Sequence, residues 1–327
     1  MTQALDPPGH TKTVPVSRQC GVALVTALLV VSLATVVAVA MATRQHIDVR
    51  RTGNLVHGEQ AYSYALAAES WARVILRRDA EEEQYDSLTE AWATALPPLA
   101  VEGGVVSGKI EDMHGRFNLN NLVDHVGDVE DEEVAYFKRL LDILGLDPAL
   151  AESLLDWIDT DINVRPPGGA EDEFYLLVEG RPYRAANRRL VSISELRLIK
   201  GFDEKTVELL TPHVTALPES TVINVNTATP LVLRALSADL SESDVVTLIA
   251  DRGETGYENI NDFLLNDVLA GLELETETEV DSEYFRVLTD VVIGQSQAHL
   301  ESLMIRDGDT PRVIYRVRGQ SRLPPVQ

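Results

Sequence analysis

One uncharged apolar segment near the N-terminus limits what this chain can be. From Val22 to Ala42 the sequence reads VALVTALLVVSLATVVAVAMA, with no charged side chain. A helix rises about 1.5 Å per residue, so this segment would be about 30 Å long, which matches the hydrocarbon thickness of a bilayer. The segment therefore predicts one membrane-spanning helix. Basic residues flank it on both sides, so the charges do not decide its orientation.

Cleaved signals of two kinds fit this N-terminus less well. A secretory signal peptide has an apolar region of about 7–15 residues followed by a small-residue cleavage site, whereas this run is longer and continues into MATRQHIDVRRTG. A lipoprotein signal places its cysteine after the apolar region, but Cys20 stands before it. Two readings remain: a short leader ending in Gln19-Cys20-Gly21 with a helix starting at Val22, or a plain signal anchor with a chance glycine.

A long helix is expected to continue beyond the membrane. No proline interrupts residues 17–96, so nothing forbids a helix over about 22–78. Apolar residues recur at helical spacing along one face of its second half, and these are Tyr64, Ala68, Trp71 and Ile75. Half of such a helix would lie in lipid and half would be amphipathic.

The remaining sequence predicts strands on both sides of a helical block. Residues 84–98 indicate a short helix, and residues 104–122 indicate a β-hairpin that turns at 113–115. Between about 128 and 278 the apolar period is helical, with cap signals at Ser194 and Asp203 and glycines at helix ends. Three alternating segments then predict antiparallel strands, at 284–288, 298–305 and 312–317. One antiparallel sheet with an inserted helical domain accounts for this order.

Composition excludes several function classes. The chain carries 52 acidic and 28 basic residues, a net charge of −24, which disfavours a phosphate backbone as partner because that binding depends on Lys and Arg. Its single cysteine rules out an internal disulfide and a multi-cysteine zinc site. Neither G-x-S-x-G nor H-E-x-x-H occurs, so we expect no enzyme.

An acidic loop in the helical block is a candidate calcium site. Asp159-Thr160-Asp161-Ile162-Asn163 begins like an EF-hand loop, but Val164 replaces the required glycine and Ala170 the final glutamate. Oxygen-bearing side chains nevertheless converge on this loop, namely Asp159, Asp161, Asn163, Glu171, Asp172 and Glu173. Carboxylates packed this closely repel one another, and a divalent cation would relieve the repulsion. The alternative is a solvated acidic loop in which Asp159 caps a helix.

Five motifs in order resemble the minor pseudopilin K family of type II secretion. They are the leader, GRFNLN at 115–120, DWID at 156–159, PPGGAEDEFY at 166–175 and INVNTA at 223–228. The resemblance covers nearly all of residues 17–318. It implies an α+β fold, in which a pilin-like long N-terminal helix packs on an antiparallel sheet that carries a large inserted all-α domain.

This resemblance also implies boundaries and processing. The expected parts are a prepilin leader (1–21), the transmembrane half of the helix (22–43), a pilin-like helix with the first strands (44–127), the inserted domain (128–278), and the last strands with a tail (279–327). Prepilin peptidase would cut between Gly21 and Val22, and the new N-terminus would be methylated. Most pilins carry glutamate at the fifth mature position, whereas this chain has Thr26. Absence of this glutamate is typical of the K subtype.

The family further implies a role, partners and a location. It places the chain in the bacterial inner membrane by a single span, with the globular part in the periplasm. There it would join the I- and J-type minor pseudopilins through the N-terminal helix, sit at the tip of the pseudopilus, and support filament initiation and the export of folded proteins across the outer membrane. Family members also bind calcium in the helical domain.

A membrane-anchored DNA receptor is the rival hypothesis. Leu198-Ile199-Lys200-Gly201-Phe202 resembles a helix-hairpin-helix, and residues 223–252 resemble a second copy, as in receptors for DNA uptake. The second hairpin, at 238–242, has no glycine and carries two acids. We therefore expect the hairpins to be packing units and expect no nucleic-acid partner.

Overall fold

The predicted N-terminal helix is present and is longer than expected. In the computed structural model, which describes residues 20–253, 255–274, 276–308 and 310–319, helix α1 runs from Cys20–Glu82 without interruption. The chain separates into two compact units, residues 1–56 and 57–327. Except for residues 20 and 21, the predicted leader (1–21) lies outside the described residues.

In the first unit, the apolar part of α1 is exposed along its whole length. Its most apolar window has a mean hydropathy of 2.8, and none of it is buried within the protein. Its two threonine hydroxyls are satisfied inside the helix: Thr26 Oγ1 lies 3.0 Å from the carbonyl oxygens of Val22 and Ala23, and Thr35 donates to Val31 O. By length and composition this helix is able to cross a bilayer.

In the second unit, the last turns of α1 pack on the sheet through small side chains. The buried stripe consists of Ala61, Ala65, Glu69, Ala72 and Leu76. The face that the sequence singled out lies beside this stripe: Tyr64, Ala68 and Ile75 are partly buried and pack against the core, whereas Trp71 is exposed. Alanines allow the helix backbone to approach the sheet closely, so the larger side chains lie on the flanks.

Five antiparallel strands form the sheet, in the order β1-β2-β7-β8-β9. They span Leu96–Val101 (β1), Gly104–Asp112 (β2), Tyr284–Ile293 (β7), Ser296–Ile305 (β8) and Arg312–Gly319 (β9). The three predicted C-terminal strands are confirmed. The short helix predicted over 84–98 is wrong: residues 84–95 form turns and bends, and β1 begins at Leu96. Pro97 and Pro98 are tolerated in β1 because it is an edge strand.

The hairpin predicted over 104–122 is also wrong. β2 turns back on β1 through Gly103, whose φ is +83°, and its other edge pairs with β7 from Gly104↔Ile293 to Asp112↔Phe285. The short strand β3 (Phe117–Asn118) instead pairs in parallel with β4 (Val214–Thr215). Everything between β2 and β7 is therefore an insertion between two neighbouring strands.

The insertion contains seven α-helices in its described residues. These are α2 (Asp131–Ile143), α3 (Leu150–Ile158), α4 (Asp172–Tyr175), α5 (Glu204–Leu210), α6 (Pro230–Arg234), α7 (Glu242–Arg252) and α8 (Ile260–Leu264). Three 3₁₀ turns join them, at Leu119–Leu122, Ile193–Leu198 and Asp267–Leu269, and β5 (Ile223–Asn224) pairs with β6 (Thr278–Glu279). The expected α+β fold, with its long helix, antiparallel sheet and helical insertion, is confirmed.

Local capping explains where these helices start. Asp203 caps α5 as predicted, its side chain accepting from the Thr206 N–H at 2.7 Å. The predicted cap at Ser194 is displaced by two residues, because Ser192 forms a capping box with Glu195. One large apolar core then holds the insertion together, in which Phe117 stacks on Tyr136 and on Phe137 of α2.

Glu133 of α2 makes the stability of this core depend on pH. Burial raises its pKa to about 7, and Thr276 donates to its Oε1 at 2.7 Å. The folded protein therefore holds a proton between about pH 4.5 and 7 that the unfolded chain releases, and stability falls as pH rises through that window.

We expect Glu133→Gln to remove the loss of stability between about pH 4.5 and 7 and to raise the free energy of unfolding at pH 8 by on the order of 2 kcal/mol. Urea unfolding of the full chain in detergent at pH 5 and pH 8 measures the difference. The exposed neighbour Glu132, changed to Gln, serves as control. An unchanged pH slope in Glu133→Gln would show that Glu133 is ionised in the folded protein.

Candidate metal centre

The acidic loop begins where α3 ends. Asp159 is the C-cap residue of α3, and its backbone N–H donates to Leu155 O, so the helix directs the chain into the loop. The loop closes at Gly169, whose N–H donates to Arg165 O, and α4 starts three residues later. This fold-back brings the two ends of the acidic segment together.

Three of the predicted ligands meet in this loop. One carboxylate oxygen from each of Asp159, Asp161 and Glu171 lies within 4.8 Å of the others. Asp159 and Glu171 are buried, whereas Asp161 is exposed at the rim. Oxygen ligands in such an arrangement suit a hard divalent cation such as calcium.

Several oxygens at this point lack partners in the described part of the chain. Glu171 Oε1, Glu171 Oε2 and Asp159 Oδ1 are all buried and accept no hydrogen bond. A buried carboxylate oxygen without a donor is strongly unfavourable. The donor set therefore fits a bound cation, since the cation would satisfy these oxygens together.

The charges of the loop point the same way. Burial and the neighbouring carboxylates of Asp156, Asp159 and Asp161 raise the pKa of Glu171 to about 7. Burial, followed by Asp159, raises the pKa of Asp156 to about 6. Arg165 offsets part of this repulsion, with its Nε 3.2 Å from Asp159 Oδ2 and 3.8 Å from Asp156 Oδ1.

The other predicted ligands lie elsewhere. Asn163 is exposed and contributes its backbone N–H to Asp161 Oδ1 at 2.6 Å. Asp172 opens α4 and accepts from Arg184 Nη1 and the Ala185 N–H. Glu173 is exposed on the first turn of α4. The structure thus brings together three of the six predicted side chains.

Sequence reasoning missed two residues beside this group. Asp156, on the last turn of α3, is fully buried, and both its oxygens accept from the Arg165 N–H at 3.2 Å. Asn187 donates from Nδ2 to Asp161 O at 2.8 Å, and its own Oδ1 is buried without a partner. The Asp156–Asp159 spacing of three on one helix face was the available signal for Asp156.

Both helix-hairpin-helix segments present acidic residues at the helix N-termini. Asp203 and Glu204 begin α5 after Gly201, while Glu242 and Asp244 lie in the first turn of α7. A phosphate would need backbone N–H groups free of competing anions at such a terminus. Here Asp203 and Ser241 already accept hydrogen bonds from those N–H groups.

Comparison with known proteins agrees with the architecture. The family model of type II secretion system protein K matches residues 115–219 and 223–285. The type II secretion system protein K of Pseudomonas aeruginosa is 39% identical over 94% of this chain and 95% of its own length. The protein of that name from Klebsiella pneumoniae is 34% identical over 92% and 97%.

A solved structure shares the fold. A chain in the crystal structure of the GspK-GspI-GspJ complex, from the type 2 secretion system of enterotoxigenic Escherichia coli, superposes with a TM-score of 0.75 at 29% identity. The match covers 83% of this chain and all of that one.

These features define a pilin-like protein with a membrane-type N-terminal helix and a helical insertion in its sheet. The chain belongs to the type II secretion system protein K family, as its motifs predicted. Its relatives are named as components of a secretion system, which supports a structural rather than an enzymatic role. The hypothesis of a DNA receptor is not favoured.

Proposed function

We propose that this chain is a minor pseudopilin at the tip of the type II secretion pseudopilus, where it initiates the filament and supports export of folded proteins across the outer membrane. One observation carries the proposal: an exposed apolar helix continues directly into a helix that is packed on a sheet, and that sheet bears a large insertion. The exposed part of α1 would pack against I- and J-type subunits, in line with the solved complex of a related chain with GspI and GspJ.

Thr26 is consistent with the tip position. Its hydroxyl is bonded to carbonyls of its own helix, so it requires no neighbour in the membrane. A glutamate at this position would need a partner group in lipid. A subunit with Thr26 can therefore occupy the first place, with no subunit beyond it.

The proposal includes a location and a maturation step. The single span would lie in the inner membrane with residues after it in the periplasm. Prepilin peptidase would cut between Gly21 and Val22 at the cytoplasmic face, and the new amino group would be methylated. The membrane anchor would remain, because the cut precedes the apolar segment.

We expect Gly21→Leu to block this cut, because a bulky side chain replaces the residue that the peptidase must accommodate. Mass spectrometry of the N-terminus after purification from membranes should give Val22 for the natural chain and Met1 for the variant. Export and co-purification of the I- and J-type subunits should be lost in the variant.

Gly53→Ala is the matched control, because an added Cβ there meets nothing within 4 Å. It should leave processing and export unchanged. A natural chain that still begins at Met1, or a Gly21→Leu variant that exports normally, contradicts the proposal.

Calcium belongs to the same proposal. Asp159, Asp161 and Glu171 would hold the ion, supported by their three unpartnered buried oxygens, with Asp156 and Asn187 beside them. Bound calcium would supply positive charge that cancels the carboxylate repulsion and fixes α3 to α4. Calorimetric titration of the full chain in detergent tests this, and the absence of heat together with an unchanged melting temperature at millimolar calcium contradicts it.

A further inference from the structure

A second group of carboxylates lies outside the helical insertion, where α1 ends. One oxygen from each of Asp79, Asp86 and Glu90 lies within 4.8 Å of the others. Asp79 is in the last turn of α1, while Asp86 and Glu90 follow in the connection to β1. No motif in the sequence marks this group, because its members come from a helix end and an irregular segment.

Arg306, just after β8, neutralises only part of the group. Its Nη1 lies 2.7 Å from Asp79 Oδ2, and its Nη2 donates to Asp86 Oδ2. In the described part of the chain, Glu90 forms no ion pair. Three carboxylates thus share one guanidinium, and all four side chains are largely removed from solvent.

Asp86 supplies the second, independent observation. It is 0% exposed, and its Oδ2 accepts from the Ser282 N–H at 2.7 Å as well as from Arg306. Its Oδ1 is buried and has no hydrogen-bond partner among the described residues. A fully buried carboxylate with one satisfied and one bare oxygen calls for another cation.

Neighbouring donors hold the group as metal-ligating carboxylates are usually held. Glu90 Oε1 accepts from the Ser87 N–H at 2.8 Å, and Oε2 from Trp92 Nε1 at 2.6 Å. Burial, reinforced by nearby carboxylates, raises the pKa of Asp86 to about 8 and that of Glu90 to about 7. Burial therefore disfavours the ionised forms of these two carboxyls in the protein alone, and a bound cation would stabilise them.

We infer that Asp79, Asp86 and Glu90 bind a second divalent cation of the calcium type, separate from the loop at Asp159. All-oxygen ligands exclude soft metals and suit a hard ion. The ion would join the end of α1 to the sheet and to the insertion, because Asp86 also bonds through its backbone to Val280 and Asn224. This inference does not depend on the role in the pseudopilus.

Terbium(III) is a suitable probe, because it takes oxygen ligands and emits when a nearby tryptophan is excited. Trp92 touches Glu90 directly. The full chain in detergent carries Asp159→Asn and Glu171→Gln to silence the loop site. We expect this background to show saturable emission that calcium displaces, and Glu90→Gln to weaken terbium binding at least about tenfold.

Glu82→Gln is the matched control, since Glu82 is an exposed carboxylate on the same segment; it should bind terbium as the background does. Asp79→Asn provides a second variant should Glu90→Gln unfold. Saturable emission that disappears in both variants but not in the control supports the site. Absence of saturable emission in the background, or equal binding by all variants, overturns it.

Discussion

The Glu171→Gln variant is expected to bind calcium at the Asp159 loop about 100-fold more weakly than the natural chain does, because it removes the side chain with two unpartnered buried oxygens. That change converts to about 2.7 kcal/mol of binding free energy. When a chelator removes calcium, the variant should be the more stable of the two proteins. There Glu171→Gln should melt at a higher temperature, since it removes a carboxylate from a position where burial and the charges of Asp156, Asp159 and Asp161 raise the pKa of Glu171 to about 7.

A variant that binds calcium more weakly, yet melts at a higher temperature than the natural chain in chelator, identifies Glu171 as a metal ligand and not as a residue with a purely structural role. Calorimetry in a Glu90→Gln background counts the loop site alone. Glu173→Gln is the control, because Glu173 loses the same charge two residues away and is exposed; it should bind calcium normally. Equal losses in both variants would instead support the wider ligand set that the sequence predicted.

Replacing Asn224 by alanine is expected to lower the free energy of unfolding by about 3 kcal/mol. Asn224, in β5, is fully buried, and its Nδ2 donates to Asp86 O, Asp112 Oδ2 and Ser282 Oγ. These groups belong to the connection after α1, the end of β2 and the approach to β7. The variant removes these three hydrogen bonds where the insertion joins the sheet.

Urea unfolding followed by tryptophan fluorescence measures this loss in the full chain. Asn261→Ala is the control, since Asn261 is exposed on α8 and should change stability by less than about 0.5 kcal/mol. If Asn224→Ala is as stable as the control, the junction depends on backbone bonds such as Met113 N–H to Tyr284 O.

Elements with a strong local period were predictable from the sequence. The uninterrupted apolar run and the missing prolines predicted α1, and alternation predicted β7, β8 and β9. The partner of β2 was not predictable, because β7 lies about 170 residues further along the chain and local alternation carries no register. Residues 104–122 therefore looked like a hairpin, the most local pairing available.

At the candidate site, three of the six side chains that the sequence predicted as ligands lie together. Spacing along the chain singled out Asp159, Asp161 and Glu171, but it could not show that Asp172 turns toward Arg184. The contribution of Asn187 depends on the folding of the following segment back onto the loop. The group of Asp79, Asp86 and Glu90 is joined through Arg306, more than 200 residues further along the chain, so no local sequence pattern predicts it.

Asp112 and Phe285 are paired partners on adjacent strands, so the chain leaves the sheet and returns to it at neighbouring points. The intervening 172 residues therefore connect two adjacent antiparallel strands, as a short turn does in a simple hairpin. The entropic cost of closing such a loop grows only slowly with its length. Residues can therefore be added to or removed from the insertion while the pairing of β2 with β7 stays intact.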